Sequence, residues 1–100
     1  MLGGYALKTF PFDPAEHLGS PEAHAEYLTA ALETGDASFI ADSLGVVARA
    51  HGMSQLARDT GLRRESLYKA LSSEGNPEFA TIMKVIQALG IQLSAGVVQG

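Results

Sequence analysis

The chain has 100 residues, 46% of them hydrophobic and 18% charged, which is typical of one small globular domain and excludes a disordered segment. It contains no cysteine, so disulfides, thiolate zinc sites and thiol nucleophiles are excluded, as fits a reducing cytoplasm. No apolar run approaches the roughly 18 residues that cross a bilayer, and the N-terminus lacks a signal-peptide pattern. We therefore expect a soluble, cytoplasmic protein with no membrane partner.

Residues 1–19 predict an extended N-terminal arm. Pro11 and Pro14 restrict the residues before them to extended conformations, and the segment from Tyr5 to Thr9 alternates over a few positions. Phe10 and Phe12 are large enough to pin this arm to a surface. That surface belongs either to a partner or to the chain's own domain.

Two helices are predicted after the arm. Ser20 is a capping residue followed by Pro21 at the first helical position, and Gly35 ends the first helix. Asp36 can cap the second helix at once, and Gly52 ends it. The predicted inner faces consist of Tyr27, Leu28, Ala31 and Leu32 in the first helix and of Phe39, Ile40, Leu44, Val46 and Val47 in the second.

The stretch from Met53 to Leu71 predicts a helix-turn-helix. Ser54 is placed to cap its first helix, Ala57 is small where the two helices approach each other, and Gly61 can form the corner. Apolar residues then recur at helical spacing on one side of the second helix, at Leu62, Leu67, Ala70 and Leu71. The alternative is a plain corner between two helices whose charged side chains are merely solvated.

A last helix follows the polar loop at residues 72–77. It is predicted to run from Phe79 to Leu89 and to stop at Gly90. The alternation from Ile91 to Ala95 is compatible with a short C-terminal strand, and residues 96–100 are expected to be a frayed tail. The prediction is thus an all-α fold of five helices, with one helical domain at residues 20–95 that contains the helix-turn-helix at residues 53–71.

Charge is distributed unevenly along the chain. Residues 1–48 contain seven acids and one base, Lys8, for a net charge of −6. Residues 49–72 contain five bases and two acids, for a net charge of +3, within a chain whose total is −4. The predicted helix-turn-helix is therefore a local basic patch, which allows specific docking on DNA but not strong non-specific affinity.

The DNA-contacting residues are predicted from the polar side of this motif, because its second helix lies in the major groove. The candidates for reading base edges are Arg63, Arg64, Glu65, Tyr68 and Lys69. The candidates for contacting phosphates are Ser54, Gln55 and Arg58. An internal salt bridge to Arg64 or Lys69 is the alternative role for Glu65.

Enzymatic and metal chemistry has little support in the sequence. His17, His24 and His51 lack a mutual ligand spacing, so we expect each at the surface or at its boundary and predict no metal and no cofactor. No glycine-rich phosphate loop follows a strand, and no serine has the flanking glycines of a nucleophile elbow. We therefore expect that the protein is not an enzyme.

Several segments together resemble a known family. They are Phe12-Asp13, Tyr27-Leu28 with Ala31-Leu32, the run from Ala48 to Ala57, Thr60-Gly61-Leu62, the run from Glu65 to Leu71, Gly75-Asn76-Pro77 and Ala88-Leu89-Gly90. In these segments the chain resembles the HigA-like addiction-module antidote proteins, and from Asp36 to Gly90 it resembles the lambda-repressor-type helix-turn-helix domain. The chain departs from the pattern at Arg63, where a capping serine is expected before the recognition helix.

The resemblance implies an antitoxin that represses its own operon through operator DNA and neutralises a small RelE/ParE-type toxin by direct binding. The acidic N-terminal half would suit such a toxin, because an RNA-directed nuclease carries a cationic surface. The predicted toxin-binding residues are Tyr5, Phe10, Phe12, Asp13 and Glu16. The alternatives are a stand-alone helix-turn-helix regulator and an all-α protein-interaction module that does not bind DNA.

A homodimer is expected as well, since one recognition helix offers few base contacts and a dimer spans two half-sites. The predicted seam consists of the last helix and the segment from Ile91 to Val98. Its apolar residues Phe79, Ile82, Met83, Ile86 and Leu93 either face a second copy or complete the core of their own domain.

Overall fold

The computed structural model describes residues 19–99. This part of the chain folds into five α-helices, which are α1 (Pro21–Glu33), α2 (Ala37–His51), α3 (Met53–Thr60), α4 (Arg64–Ala70) and α5 (Phe79–Ala88). The predicted all-α class and its five helices are confirmed. Within residues 19–99 there is no β-strand, so the short strand expected at residues 91–95 is wrong for an isolated chain: this segment has no partner strand.

Local signals account for most helix boundaries. The Ser20 hydroxyl accepts a hydrogen bond from the Ala23 amide at 3.2 Å, and the Asp36 carboxylate accepts one from the Phe39 amide at 3.1 Å. Both predicted caps are therefore present. The predicted cap at Ser54 is wrong, because α3 begins at Met53, immediately after Gly52, and Ser54 already lies in its first turn. The chain leaves no residue between α2 and α3 except Gly52 to serve as the cap.

One core joins the five helices. Its buried members include Leu28 of α1, Leu44 and Val47 of α2, Leu56 of α3, Leu67 of α4 and Val85 of α5. Four residues of the predicted helix faces lie outside it, since Tyr27, Leu32, Phe39 and Phe79 are 37%, 44%, 47% and 71% exposed. Phe39 and Phe79 lie in the first turn of their helices, before the first buried residue, whereas Tyr27 and Leu32 each adjoin a buried residue of α1. Helical spacing identifies a face but does not show how far along the helix a neighbour covers it.

Gly45 permits the close approach of α2 to the end of α4. It is buried in the middle of α2, and a Cβ atom at this position would overlap the backbone carbonyl oxygen of Leu71. A glycine inside a helix normally costs about 1 kcal/mol relative to alanine. Here the absent side chain lets two backbones meet, and this places α4 against the core.

None of the helices in residues 19–99 is both long enough and apolar enough to span a membrane.

Candidate nucleic-acid interface

The corner between α3 and α4 is held by backbone geometry and by one side chain. Gly61 ends α3 with φ of 75°, and its amide donates to the Ala57 carbonyl at 2.9 Å. The Thr60 hydroxyl donates to the Leu56 carbonyl at 2.8 Å and accepts from the Leu62 amide at 3.2 Å. Gly61 was predicted as the corner, whereas Thr60 was missed. Threonine before a helix-ending glycine is a recognised turn-forming signal and could have pointed to this role.

Buried leucines set the orientation of α4. Leu56 of α3 and Leu67 of α4 are both fully buried, and the half-buried Leu62 packs against the same core. Because Leu67 lies in the middle of a helix of seven residues, its burial turns the opposite side of α4 towards solvent.

All five predicted base-reading residues are exposed. They are Arg63, Arg64, Glu65, Tyr68 and Lys69, and the structure brings them together on α4 and at the position immediately before it. Ser66, which was not among the predicted residues, is exposed on the same helix. This surface of α4 therefore has three cationic groups, one carboxylate, one phenol and one additional hydroxyl.

Arg64 and Tyr68 interact on this surface. The guanidinium carbon of Arg64 lies 5.9 Å from the centre of the Tyr68 ring, within the range of a cation–π contact. The two residues are four positions apart, so they lie on neighbouring turns of α4. No ion pair joins Glu65 to Arg64 or Lys69 among the residues that the structure describes, so the alternative role of Glu65 is not seen there.

Arg63 occupies the capping position of α4 with an extended backbone, φ −77° and ψ 145°, and its side chain makes no capping hydrogen bond. The chain has Arg63 where a capping serine was expected, and the structure accordingly shows no side-chain cap at this position. Helix α4 still begins at the next residue, because the Leu67 amide donates to the Arg63 carbonyl at 3.0 Å. The Arg63 guanidinium is left exposed beside the outer face of α4.

The predicted phosphate-contacting residues lie on the outer face of α3. Ser54, Gln55 and Arg58 are all exposed. Arg58 donates from Nη2 to the Oε1 atom of Gln55 at 2.8 Å, and Gln55 donates from Nε2 to the Oδ1 atom of Asp59 at 2.8 Å. Asp59 was not among the predicted residues, yet its negative charge lies in the same chain of hydrogen bonds as the cation of Arg58.

Apart from Asp59 and Glu65, several acidic groups lie on α1, on α2 and between them. Between residues 19 and 48 the chain has five acids and no base. Glu22, Glu26 and Glu33 are exposed on α1, and Asp36 is exposed at the start of α2. The described part of the chain thus has an acidic α1 and a basic outer face on α4, whereas the charges of Arg58 and Asp59 on α3 cancel.

The structure corrects one expectation about the histidines. His24 was expected at the surface or its boundary, but it is 1% exposed. Its ring meets that of His51 edge to face, with 6.3 Å between the ring centres. Spacing along the chain did not reveal this pair, because the two residues come from different helices. Within residues 19–99 no group of three or more histidine, aspartate or glutamate side chains is arranged to hold a metal ion.

The predicted toxin-binding residues Tyr5, Phe10, Phe12, Asp13 and Glu16, and also His17, lie outside the described residues. Their role remains a prediction.

The chain is similar to a known protein family and to a known protein. The family model described as "Probable addiction module antidote protein" matches residues 8–97. An uncharacterized protein of Haemophilus influenzae (strain ATCC 51907 / DSM 11121 / KW20 / Rd) is 54% identical over 81 residues, which are 81% of this chain and 84% of that protein. No solved structure matches the chain significantly. The family match includes all five helices and part of the segment before them.

Proposed function

Because the chain belongs to the family of probable addiction module antidote proteins, we propose that it is a HigA-like antitoxin that represses its own operon and neutralises a RelE/ParE-type toxin by direct binding. An antidote acts against a toxin, so family membership supports the antitoxin role and the existence of a toxin partner. The DNA-binding role, the toxin class, a homodimeric state and a cytoplasmic location are parts of the proposal. The protein acts by binding, without enzymatic activity.

The observation that carries the DNA-binding part is the exposed outer face of α4. In this proposal α3 and α4 form a helix-turn-helix of lambda-repressor type within a domain at residues 20–95, and α4 enters the major groove. Arg64 and Lys69 are long cationic side chains that can reach guanine O6 and N7, the commonest base contact of such residues. Arg63, Glu65 and Tyr68 complete the base-reading set.

The cation–π contact supports a specific role for Arg64. A free arginine side chain loses considerable rotational entropy when it is fixed against a base. The Tyr68 ring restricts Arg64 before DNA arrives, so less entropy remains to be lost on binding. Tyr68 therefore acts both as a candidate base reader and as a support for its neighbour.

Contacts to phosphates position α4 in the groove. Ser54, Gln55 and Arg58 on α3 supply them, and the hydrogen bond between Gln55 and Arg58 holds two of these side chains in one arrangement. Asp59 opposes this function, because its carboxylate repels phosphate. Moderate overall affinity with high dependence on sequence follows from such a surface.

The toxin is proposed to bind the acidic N-terminal half, away from α3 and α4. The exposed acids of α1 can attract a cationic toxin, and Phe10 and Phe12 of the preceding segment can act as buried anchors, with Tyr5, Asp13 and Glu16 beside them. Separate surfaces would allow one antitoxin to hold toxin and operator at the same time.

The function is tested with DNA from directly upstream of the gene. The full chain is titrated onto a fluorescent fragment of this region and onto a fragment of the same composition with shuffled sequence, at one salt concentration. We expect tighter binding to the upstream fragment and a footprint with two half-sites. Equal binding to both fragments, or no binding, would contradict the repressor role and favour an interaction module that does not bind DNA.

A further inference from the structure

The C-terminal segment from Gln92 to Gln99 has the features of a strand that lacks a partner. It belongs to no helix and, within residues 19–99, its backbone groups make no hydrogen bond; the last one before it joins the Ile91 amide to the Ile86 carbonyl at 3.1 Å. Burial alternates at its start, since Ile91 and Leu93 are half-buried while Gln92 and Ser94 are exposed. This alternation is the side-chain period of a β-strand.

Two β-branched residues lie at its outer end. Val97 and Val98 are 88% and 90% exposed. Valine favours strands, and two adjacent exposed valines on backbone that makes no hydrogen bond in the described residues can pair with another strand. The same segment runs beside α1 and lines a groove with Leu28, Thr29 and Leu32. Adjacent side chains of a strand point to opposite sides, so pairing would turn one valine towards this groove and the other away from it.

From these observations we propose that the C-terminal segments of two copies of this chain pair as an antiparallel ribbon across a two-fold axis, and that this pairing is the dimer seam. Residues 91–99 contain no charged side chain. A second copy therefore pairs without charge repulsion, whereas DNA or a cationic toxin finds no countercharge here. An antiparallel ribbon is self-complementary, because residue i of one copy pairs with residue j of the other and j pairs with i, so that only the residue at the axis meets its own counterpart.

This inference rests on the proposed function only where the dimer spans two operator half-sites. The pairing itself is a property of the protein alone and is tested without DNA or toxin. Its failure would leave the roles of α4 and of the acidic half untouched.

The absence of cysteine makes a sharp test possible. Single cysteines are placed by Ser94→Cys, Ala95→Cys, Gly96→Cys, Val97→Cys and Val98→Cys, with Ser38→Cys, an exposed residue of α2, as the control. Each full-length variant is oxidised, and disulfide-linked dimer is measured over time. We expect one position near the axis to cross-link at least about tenfold faster than the control, with slower rates on both sides of it, because only that pair lies at disulfide distance.

Rates equal to the control at every position would overturn the proposal. So would rates that rise steadily towards the C-terminus, since these indicate collisions of free ends. Light scattering adds a second measurement: the unmodified chain should have about twice its 10.5 kDa mass, and the double variant Val97→Asp/Val98→Asp should be a monomer with an unchanged circular dichroism spectrum. A dimer that persists in this variant would place the seam elsewhere.

Discussion

Thr60 is the residue on which the corner between α3 and α4 most depends. Its hydroxyl satisfies the Leu56 carbonyl and the Leu62 amide, both at the point where the chain changes direction. Thr29 offers a matched comparison, because its hydroxyl donates at 2.8 Å to a carbonyl, that of Ala25, but lies on the exposed face of α1. The two threonines separate the effect of the corner from that of a hydroxyl in general.

Thr60→Val should lower the free energy of unfolding by about 1–2 kcal/mol, because the Leu62 amide loses its acceptor and valine preserves the side-chain shape. Thr29→Val should change it by less than about 0.5 kcal/mol. Urea denaturation monitored by circular dichroism measures both. Equal losses in the two variants would mean that Thr60 has no special role at the corner.

Arg58 and Asp59 should have opposite effects on DNA affinity. Arg58→Ala should weaken binding to the operator and to unrelated DNA alike and should reduce the salt dependence by about one counterion, as expected for a phosphate contact. Asp59→Asn retains an oxygen for the Gln55 hydrogen bond but removes a charge, so it should strengthen binding to both DNAs. Fluorescence anisotropy at several salt concentrations measures these changes.

Lys84→Ala provides the control, because Lys84 is an exposed cation on α5, a helix that supplies no residue to the proposed interface. A loss for Lys84→Ala as large as that for Arg58→Ala would show that overall charge, rather than a contact made by α3, determines affinity.

At the scale of elements, the position of α4 depends on its contact with α2. Gly45→Ala should destabilise the protein by about 1–3 kcal/mol, because the new methyl group meets backbone at Leu71 and overpacks the contact. Helix propensity alone predicts the opposite sign, a gain of about 1 kcal/mol. Gly96→Ala, where a Cβ atom meets nothing within 4 Å, should be neutral. Thermal unfolding of both variants measures these changes. A stabilised Gly45→Ala variant would contradict the close approach of α2 to Leu71.

The elements also show what sequence can predict. The caps at Ser20 and Asp36 and the corner at Gly61 follow from local chemistry within a few residues, so each could be located before the structure was known. The role of Gly45 and the burial of His24 depend on residues from other helices, which a single sequence does not place in space. Ser54 shows the limit of local rules, since two helices separated by one glycine leave no position for a separate cap.

The candidate site, too, could be predicted from the sequence only in part. Exposure of Arg63, Arg64, Glu65, Tyr68 and Lys69 could be predicted, because helical period together with a buried Leu67 determines the outer face of α4. The cation–π pair and the chain from Arg58 through Gln55 to Asp59 could not, because each depends on side-chain rotamers. A spacing of four residues allows two side chains on a helix to touch, but it does not determine which of the possible contacts forms.

At the scale of the whole molecule, the two proposed functions lie on different parts of the chain, with toxin binding in the N-terminal half and DNA binding on α3 and α4. Deletion of residues 1–18 should weaken capture of the toxin while operator binding by the truncated protein stays within about twofold of the full chain, since none of the proposed DNA contacts is removed. Toxin pull-down and DNA anisotropy on the same preparations measure both. If the truncated protein captures toxin as well as the full chain does, the toxin site lies instead on the helices between Ser20 and Ala50.

The most direct test of the central claim is operator affinity after removal of the two cations from α4. Arg64→Ala/Lys69→Ala, compared with wild type and with Lys84→Ala at one salt concentration, should lose at least the roughly 5- to 150-fold that one bidentate contact to guanine supplies. Its circular dichroism spectrum and its capture of toxin should be unchanged, because both side chains are exposed. A double variant that binds the operator as tightly as wild type would contradict the assignment of α4 as the recognition helix.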